Sequence, residues 1–180
     1  MRLLAISGSI RRKSYNSALL DAVAAQAGRD VDFVFWNQLD RIPAYNEDAE
    51  TKPDAVVLLK DELARADAVL FATPEYNGSV PGALKNALDW VSRPFADNPL
   101  RDKPVAVIGA SQGSFGATWA QAELRKILRT LGARVHSHEL AVPHARNAFG
   151  PDGLLRDSGQ RAALISIIVT LQTETRRRVA

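Results

Sequence analysis

Three short segments hold the residues whose types and spacing suit ligand chemistry. The first, Ser7-Gly8-Ser9-Ile10-Arg11-Arg12-Lys13-Ser14-Tyr15-Asn16-Ser17, follows an apolar run and leads into an amphipathic one. Hydroxyls, a glycine and backbone amides at a helix N-terminus make an anion site, because unpaired N–H groups and the positive helix pole both face the ligand. Arg11 adds a guanidinium with bidentate geometry suited to phosphate. The spacing matches neither G-x-G-x-x-G nor G-x-x-x-x-G-K-[ST], which disfavours a Rossmann dinucleotide fingerprint and a Walker loop. A polar turn with a solvated basic patch is the plain alternative.

The second segment is Thr73-Pro74-Glu75-Tyr76-Asn77-Gly78-Ser79-Val80-Pro81-Gly82. An aromatic ring, an amide and several backbone N–H groups on one turn can grip a planar heteroaromatic ligand by stacking and edge hydrogen bonds. Equally, Pro74 and Gly78 can serve only as turn punctuation. The third segment, Gly109-Ala110-Ser111-Gln112-Gly113-Ser114-Phe115-Gly116, offers a glycine-rich backbone against a ligand ring, with the next helix's N-terminus aimed at developing negative charge. It also satisfies G-x-S-x-G, with Ser111 in the nucleophile place. Serine hydrolysis needs a histidine and an acid as well. His136, His138 and His144 follow Ser111, but the only acids between Ser111 and His144 in chain order are Glu123, expected on a helix, and Glu139.

These segments need a scaffold, and the 180 residues supply one of ordinary globular make-up, with 46% hydrophobic and 24% charged residues. We expect one domain, residues 1–180. There is no cysteine, so a disulfide framework, Cys-ligated zinc, an iron–sulfur cluster and a thiol nucleophile are excluded, and any redox chemistry must run on a borrowed cofactor. The 23 basic residues are dispersed among 20 acidic ones, a balance that a nucleotide ligand explains without nucleic acid. Arg176–Arg178 reads as a solvated helix end. No apolar stretch approaches the roughly 20 residues of a membrane span. Leu3–Ile6 runs straight into Arg11, Arg12 and Lys13, unlike a signal peptide, so a cytoplasmic protein is expected.

Short continuous apolar runs alternate with amphipathic stretches, the pattern of buried parallel strands joined by crossover helices. Strands are predicted near Arg2–Ser7, Val31–Trp36, Ala68–Thr73, Pro104–Ala110 and Arg134–His136. Helical stripes are Leu20, Val23, Ala24 and Ala27; Val56, Leu59 and Leu63; Leu84, Leu88 and Val91; Trp119, Ala122, Leu128 and Leu131; and Leu164, Ile168 and Leu171. Asn16 and Pro81 are predicted to start helices and Gly132 to end one. The result is an α/β three-layer sandwich with a five-stranded parallel sheet in the flavodoxin-like order 2-1-3-4-5. Ligands of such sheets bind beyond the strands' carboxyl ends, where all three segments fall. Ser137–Asp157, with Pro143, Gly150, Pro151 and Gly153, reads as one long loop.

Taken together, G-S-x-R-x-x-S-x-N, the run P-E-Y-N-G-S-x-P-G-x-L-K-N-x-x-D-W from Pro74 to Trp90, and G-A-S-x-G-x-x-G from Gly109 to Gly116 resemble the NADPH-dependent FMN reductase family. The resemblance is closest to its chromate and quinone reductases. Pro43-Ala44-Tyr45-Asn46 and Phe149-Gly150-Pro151-Asp152-Gly153 fit the family's spacing as well. The resemblance implies bound FMN reduced by NADPH or NADH in a ping-pong cycle, with quinones, chromate, azo compounds or free flavin as small-molecule acceptors. It implies that Ser9, Arg11, Ser14, Asn16 and Ser17, with Tyr15 beside them, hold the phosphate. Pro74, Glu75, Tyr76 and Asn77, with Gly78, would line the isoalloxazine ring, and Ser111, Gly113 and Gly116 would lie near its pyrimidine side. A homodimer or homotetramer is implied, with the third helix and Ser137–Asp157 as interface pieces.

A rival is a flavodoxin-like electron carrier or flavin-binding module, which would share the fold and site. Such carriers usually present an acidic docking face, whereas this chain has a net charge of +3. Serine hydrolysis at Ser111 is the third reading. His136 and His138 alternate as on a strand face but lack a carboxylate cluster, so no metal site is expected. Trp36, Trp90 and Trp119 read as core or interface residues.

Overall fold

The apolar runs form the parallel strands expected of them, β1 (Arg2–Ser7), β2 (Asp32–Trp36), β3 (Ala68–Ala72), β4 (Pro104–Ala110) and β5 (Arg134–Val135), in the order β2-β1-β3-β4-β5. The computed structural model describes residues 1–179, with side-chain surroundings through Arg176. Of the basic run near the C-terminus, Arg176 is exposed, and the side chains of Arg177 and Arg178 lie outside the described set. A sixth strand, β6 (Leu140–Val142), also pairs with β4. The helices are α1 (Tyr15–Gln26), α2 (Asp54–Arg65), α3 (Gly82–Val91), α4 (Thr118–Thr130), α5 (Ala145–Ala148) and α6 (Ser158–Val179).

Alternation along each strand divides the core between the two faces of the sheet. Leu4, Ile6, Val69, Phe71, Val105 and Val107 pack with α2, α3 and α4 through residues such as Leu59, Leu63, Leu84, Leu88 and Leu124. Leu3, Ala5, Leu70, Ala106 and Ile108 pack with α1 and α6 through Leu19, Leu20, Val23, Leu164 and Leu171. Register brings Ser7 beside Ala72 and Ala72 beside Ile108, so the carboxyl ends of the three central strands finish side by side.

Three sequence expectations need correction. Ser137–Asp157 is not one irregular loop, because it contains β6, α5 and a bridge between Phe149 and Leu155. The edge strand is interrupted: β4 advances three residues from Val105 to Ile108 while its neighbour advances five, from Val135 to Leu140. Two short apolar pieces separated by His-Ser-His-Glu carry too little periodicity to read as strand. Second, Ser14 starts α1, its hydroxyl accepting from the N–H groups of Asn16 and Ser17, and Asn16 sits inside the helix. Third, α4 turns Trp119 outward, leaving it 52% exposed. The inner face is Ala120, Leu124 and Leu128 with Gln121 and Arg125. The Arg125 guanidinium donates to Val107 O and Gln121 Oε1 and pairs with Glu139, and these bonds hold a polar pair where hydrophobic counting would not place it.

Candidate functional site

Loop one is organised by its own hydroxyls. Arg11 N–H donates to Ser9 Oγ at 3.3 Å, Asn16 and Ser17 N–H donate to Ser14 Oγ at 3.2 and 3.3 Å, and the Ser17 hydroxyl donates to Ser7 Oγ at 3.0 Å. The backbone therefore curls around the start of α1, where the helix's positive pole lies. The Arg11 guanidinium rests over the Tyr15 ring, 5.1 Å from its centroid, which holds the cation at the rim. Asn16 is fully buried, and both ends of its carboxamide bond the backbone of Ala110. Its side chain therefore ties loop one to the end of β4, and its backbone N–H is taken by Ser14 Oγ.

The second loop closes on itself. Tyr76 and Ser79 exchange backbone hydrogen bonds of 3.1 Å, with Asn77 at φ 53° and Gly78 at φ 76° between them. Two central residues with positive φ define the type I′ hairpin turn, for which Asn-Gly is the preferred pair. That requirement explains Asn77 and Gly78 without a ligand. The turn carries Tyr76, half-exposed, on one side, and Glu123 anchors the other by accepting from the Ser79 hydroxyl at 2.6 Å and from Val80 N–H at 3.3 Å.

Glu75 changes the electrostatics expected at α4. Its Oε2 accepts the N–H of Ala120, in the first turn of that helix, at 3.1 Å. The positive pole read from the sequence as free to face negative charge is thus partnered by a carboxylate. The exposed stretch Gln112–Ser114 remains as the accessible backbone of this loop.

A cavity of about 310 Å³ lies where the three loops meet, within the size range of small-molecule sites. Its walls include Ser9, Arg11, Ser14, Tyr15, Asn16, Pro74, Glu75, Tyr76 and Ser111. Ala110 and Gln112 also line it and escaped sequence reasoning, because an alanine ending a strand and a glutamine inside a motif carry no signal of their own. Ser17, Asn77, Gly78, Gly113 and Gly116 are not among its walls. Gly116, at φ 59°, is buried against β6, where a Cβ would come within 2.6 Å of Val142 N. Phe115 and Trp119 stack edge-on at 4.8 Å and stand exposed on the α4 side.

The donor set fits a flavin mononucleotide: hydroxyls and one guanidinium beside the positive pole of α1 at one end, and a proline, a tyrosine and a polar backbone at the other. It fits a hydrolase poorly, since Glu123 is committed to Ser79 and Glu139 to Arg125. His136 stacks on His138 with ring centroids 4.4 Å apart. Among the described residues, no group of three or more His, Cys, Asp or Glu could hold a metal ion.

Known proteins agree with this reading. The family model described as NADPH-dependent FMN reductase matches residues 1–147. The NAD(P)H-dependent FMN reductase of Pseudomonas aeruginosa is 40% identical over 98% of this chain and 96% of its own length. A quinone reductase of Pseudomonas putida is 41% identical over 84% of this chain and 83% of its own. Among solved structures, the FerB flavoenzyme of Paracoccus denitrificans, an NAD(P)H:(acceptor) oxidoreductase, superposes with a TM-score of 0.87 at 33% identity, covering 96% of this chain and 98% of its own. With fold, motifs and cavity in agreement, the chain belongs to the NADPH-dependent FMN reductase family.

Proposed function

We propose that this chain, working as one FMN-binding domain, is an NAD(P)H-dependent oxidoreductase that reduces quinones and related small acceptors. The observation that carries the reading is the convergence of the three loops on one cavity open to solvent. When bound, FMN supplies the electron relay, taking a hydride from a nicotinamide and passing two electrons to an acceptor. The chain's residues bind and orient. The Ser9 and Ser14 hydroxyls and Arg11, at the positive pole of α1, hold the phosphate. Pro74 and Tyr76 form the wall beside the ring, and Ser111 and Gln112 offer polar groups along its edge. The half-exposed Tyr76 leaves a flat face on which donor and acceptor can stack in turn, as ping-pong exchange requires.

Quinone reduction is favoured by the P. putida relative's name; chromate, azo compounds and free flavin are further acceptors. Reliance on NAD(P)H supports a cytoplasmic setting, and no described helix is long and apolar enough to cross a membrane. We also infer a homo-oligomer, dimer or tetramer, that includes α3 and the 137–157 segment. The exposed Phe115 and Trp119 pair on the α4 side supports a covered apolar face on the chain. Light scattering on the purified protein tests this.

The deciding measurement of function is a visible spectrum of protein incubated with FMN and desalted, followed by anaerobic NADPH and then a benzoquinone. Retained flavin that bleaches and then recovers supports the reductase. Retained flavin indifferent to both NADPH and NADH would instead establish the electron-carrier reading. Ser111→Ala is expected to leave the cycle intact.

A further inference from the structure

The largest cavity described, about 490 Å³, is not the one assigned to the flavin. It lies between α1 and the carboxyl end of β2, and its walls include Phe35, Arg12, Asp21 and Asp40. It shares two residues with the flavin cavity, Ser9 and Arg11. Both belong to loop one. The second cavity therefore opens off the phosphate end of the first, away from Pro74, Tyr76 and Ser111.

Its lining is unusual for a surface cleft. Phe35 is an aromatic residue 47% exposed on the edge strand, and Phe33, 5.0 Å away between centroids, buttresses its ring. Arg12, Asp21 and Asp40 are exposed and form no ion pair among the described residues. One aromatic face, two guanidinium groups and two carboxylates in the lining suit a base, a phosphate and a sugar respectively. A carboxylate recognises a free ribose diol and repels a phosphate placed on it. Two guanidinium groups balanced by two carboxylates also suit a ligand of low charge better than one carrying an added 2′-phosphate.

We propose that this cavity binds the adenosine 5′-phosphate half of a dinucleotide with an unmodified ribose. The inference rests on the flavin phosphate lying in loop one. The adenosine half stacks on Phe35, places its ribose hydroxyls toward Asp40 and Asp21, and leaves the cavity past Arg11. Two molecules carry that half: FAD, continuing from the flavin phosphate, and NADH, reaching back from the flavin ring.

The test is calorimetric titration of the FMN-loaded protein with ADP. ADP is expected to bind, with Phe35→Ala weakening it about tenfold through lost stacking. Asp40→Asn, which keeps the size of the side chain, is expected to weaken it about fivefold through the diol. 2′,5′-ADP is expected to bind less tightly than AMP, from which it differs only by the 2′-phosphate, and FMN retention to be unchanged in both variants. A preference for FAD over FMN that Phe35→Ala abolishes assigns the cavity to the flavin nucleotide. Equal affinity for FAD and FMN, with ADP competing against NADH, assigns it to the nicotinamide nucleotide. No ADP binding, or ADP binding that neither variant alters, overturns the proposal, and tighter binding of 2′,5′-ADP than of AMP overturns the ribose assignment. Failure to retain FMN while ADP still binds would fault the flavin reading and leave the adenosine cavity standing.

Discussion

The carboxamide of Asn16 and the backbone of Ala110, 94 residues apart in sequence, exchange two hydrogen bonds of 2.9 Å. Asn16 Nδ2 donates to Ala110 O, and Ala110 N–H donates to Asn16 Oδ1. The pair closes the end of β4 as a neighbouring strand would, in a place where β1 and β3 have already turned away into their loops. Asn16→Ala leaves a buried N–H and C=O unpaired and is expected to destabilise the fold by about 2–4 kcal/mol. Urea unfolding checks this, with an unchanged m value separating lost stability from an altered unfolded state. A loss under about 0.5 kcal/mol would show that the two groups find other partners.

Glu75 reaches from the second loop to the first turn of α4, where the Ala120 N–H donates to its carboxylate at 3.1 Å. Glu75→Gln keeps an acceptor but removes the charge opposite the helix pole, at a cost of about 0.3–1 kcal/mol. Glu75→Ala removes both, and about 1–2 kcal/mol is expected. Thermal melts should rank wild type above Gln and Gln above Ala, with the gap between wild type and Gln shrinking at high salt. Equal losses in the two variants would assign Glu75 no charge-dependent role.

Gly116 combines a left-handed backbone, φ 59°, with a neighbour that a Cβ would meet at 2.6 Å. The contact is with the backbone of β6, which has no rotamer to change. Gly116→Ala is expected to cost more than the roughly 1–2 kcal/mol of the left-handed conformation alone. Gly113→Ala meets nothing nearer than Ser111 Oγ at 3.7 Å and should be nearly neutral. Denaturant unfolding of both variants checks the contrast.

Much of this was legible in the sequence because it depends on local pattern. Buried parallel strands appear as apolar runs, and β1 and β4 end where those runs end. The three loops were recognisable because hydroxyl, glycine and aromatic residues cluster after strands. What escaped depends on partners distant in the chain. Nothing local distinguishes Asn16 as a helix start from Asn16 as a partner of Ala110, or Glu75 as a cavity wall from Glu75 as a helix cap. Trp119 counts as apolar in any periodicity, yet the bonds of Gln121 and Arg125 decide which face of α4 turns inward. β6 was missed because three residues cannot display a period.

His136 packs against His138, and burial with that neighbour lowers its imidazole pKa below the ordinary 6.5, while Glu174 opposes the shift. A depressed histidine pKa means that the unfolded chain takes up its proton first as pH falls. The contribution of the neutral ring is therefore present above pH 6.5 and declines below it. His136→Gln should flatten the fall in melting temperature between neutral and mildly acid pH. An identical pH profile in the variant would show that His136 does not contribute to it.

Arg11 lines the cavity proposed for the flavin, with its guanidinium over Tyr15. A charge-assisted bond to phosphate contributes about 1.5–3 kcal/mol, so Arg11→Ala should weaken FMN binding roughly 10- to 100-fold. Arg11→Lys retains the charge without the planar fork and should fall between the two. Tyr15→Leu removes the ring that steadies the cation and should produce a smaller loss in the same direction. Quenching of flavin fluorescence on titration with apoprotein measures all three. Unchanged affinity in Arg11→Ala would remove Arg11 from the phosphate site and leave the Ser9 and Ser14 hydroxyls at the positive pole of α1 to hold the anion.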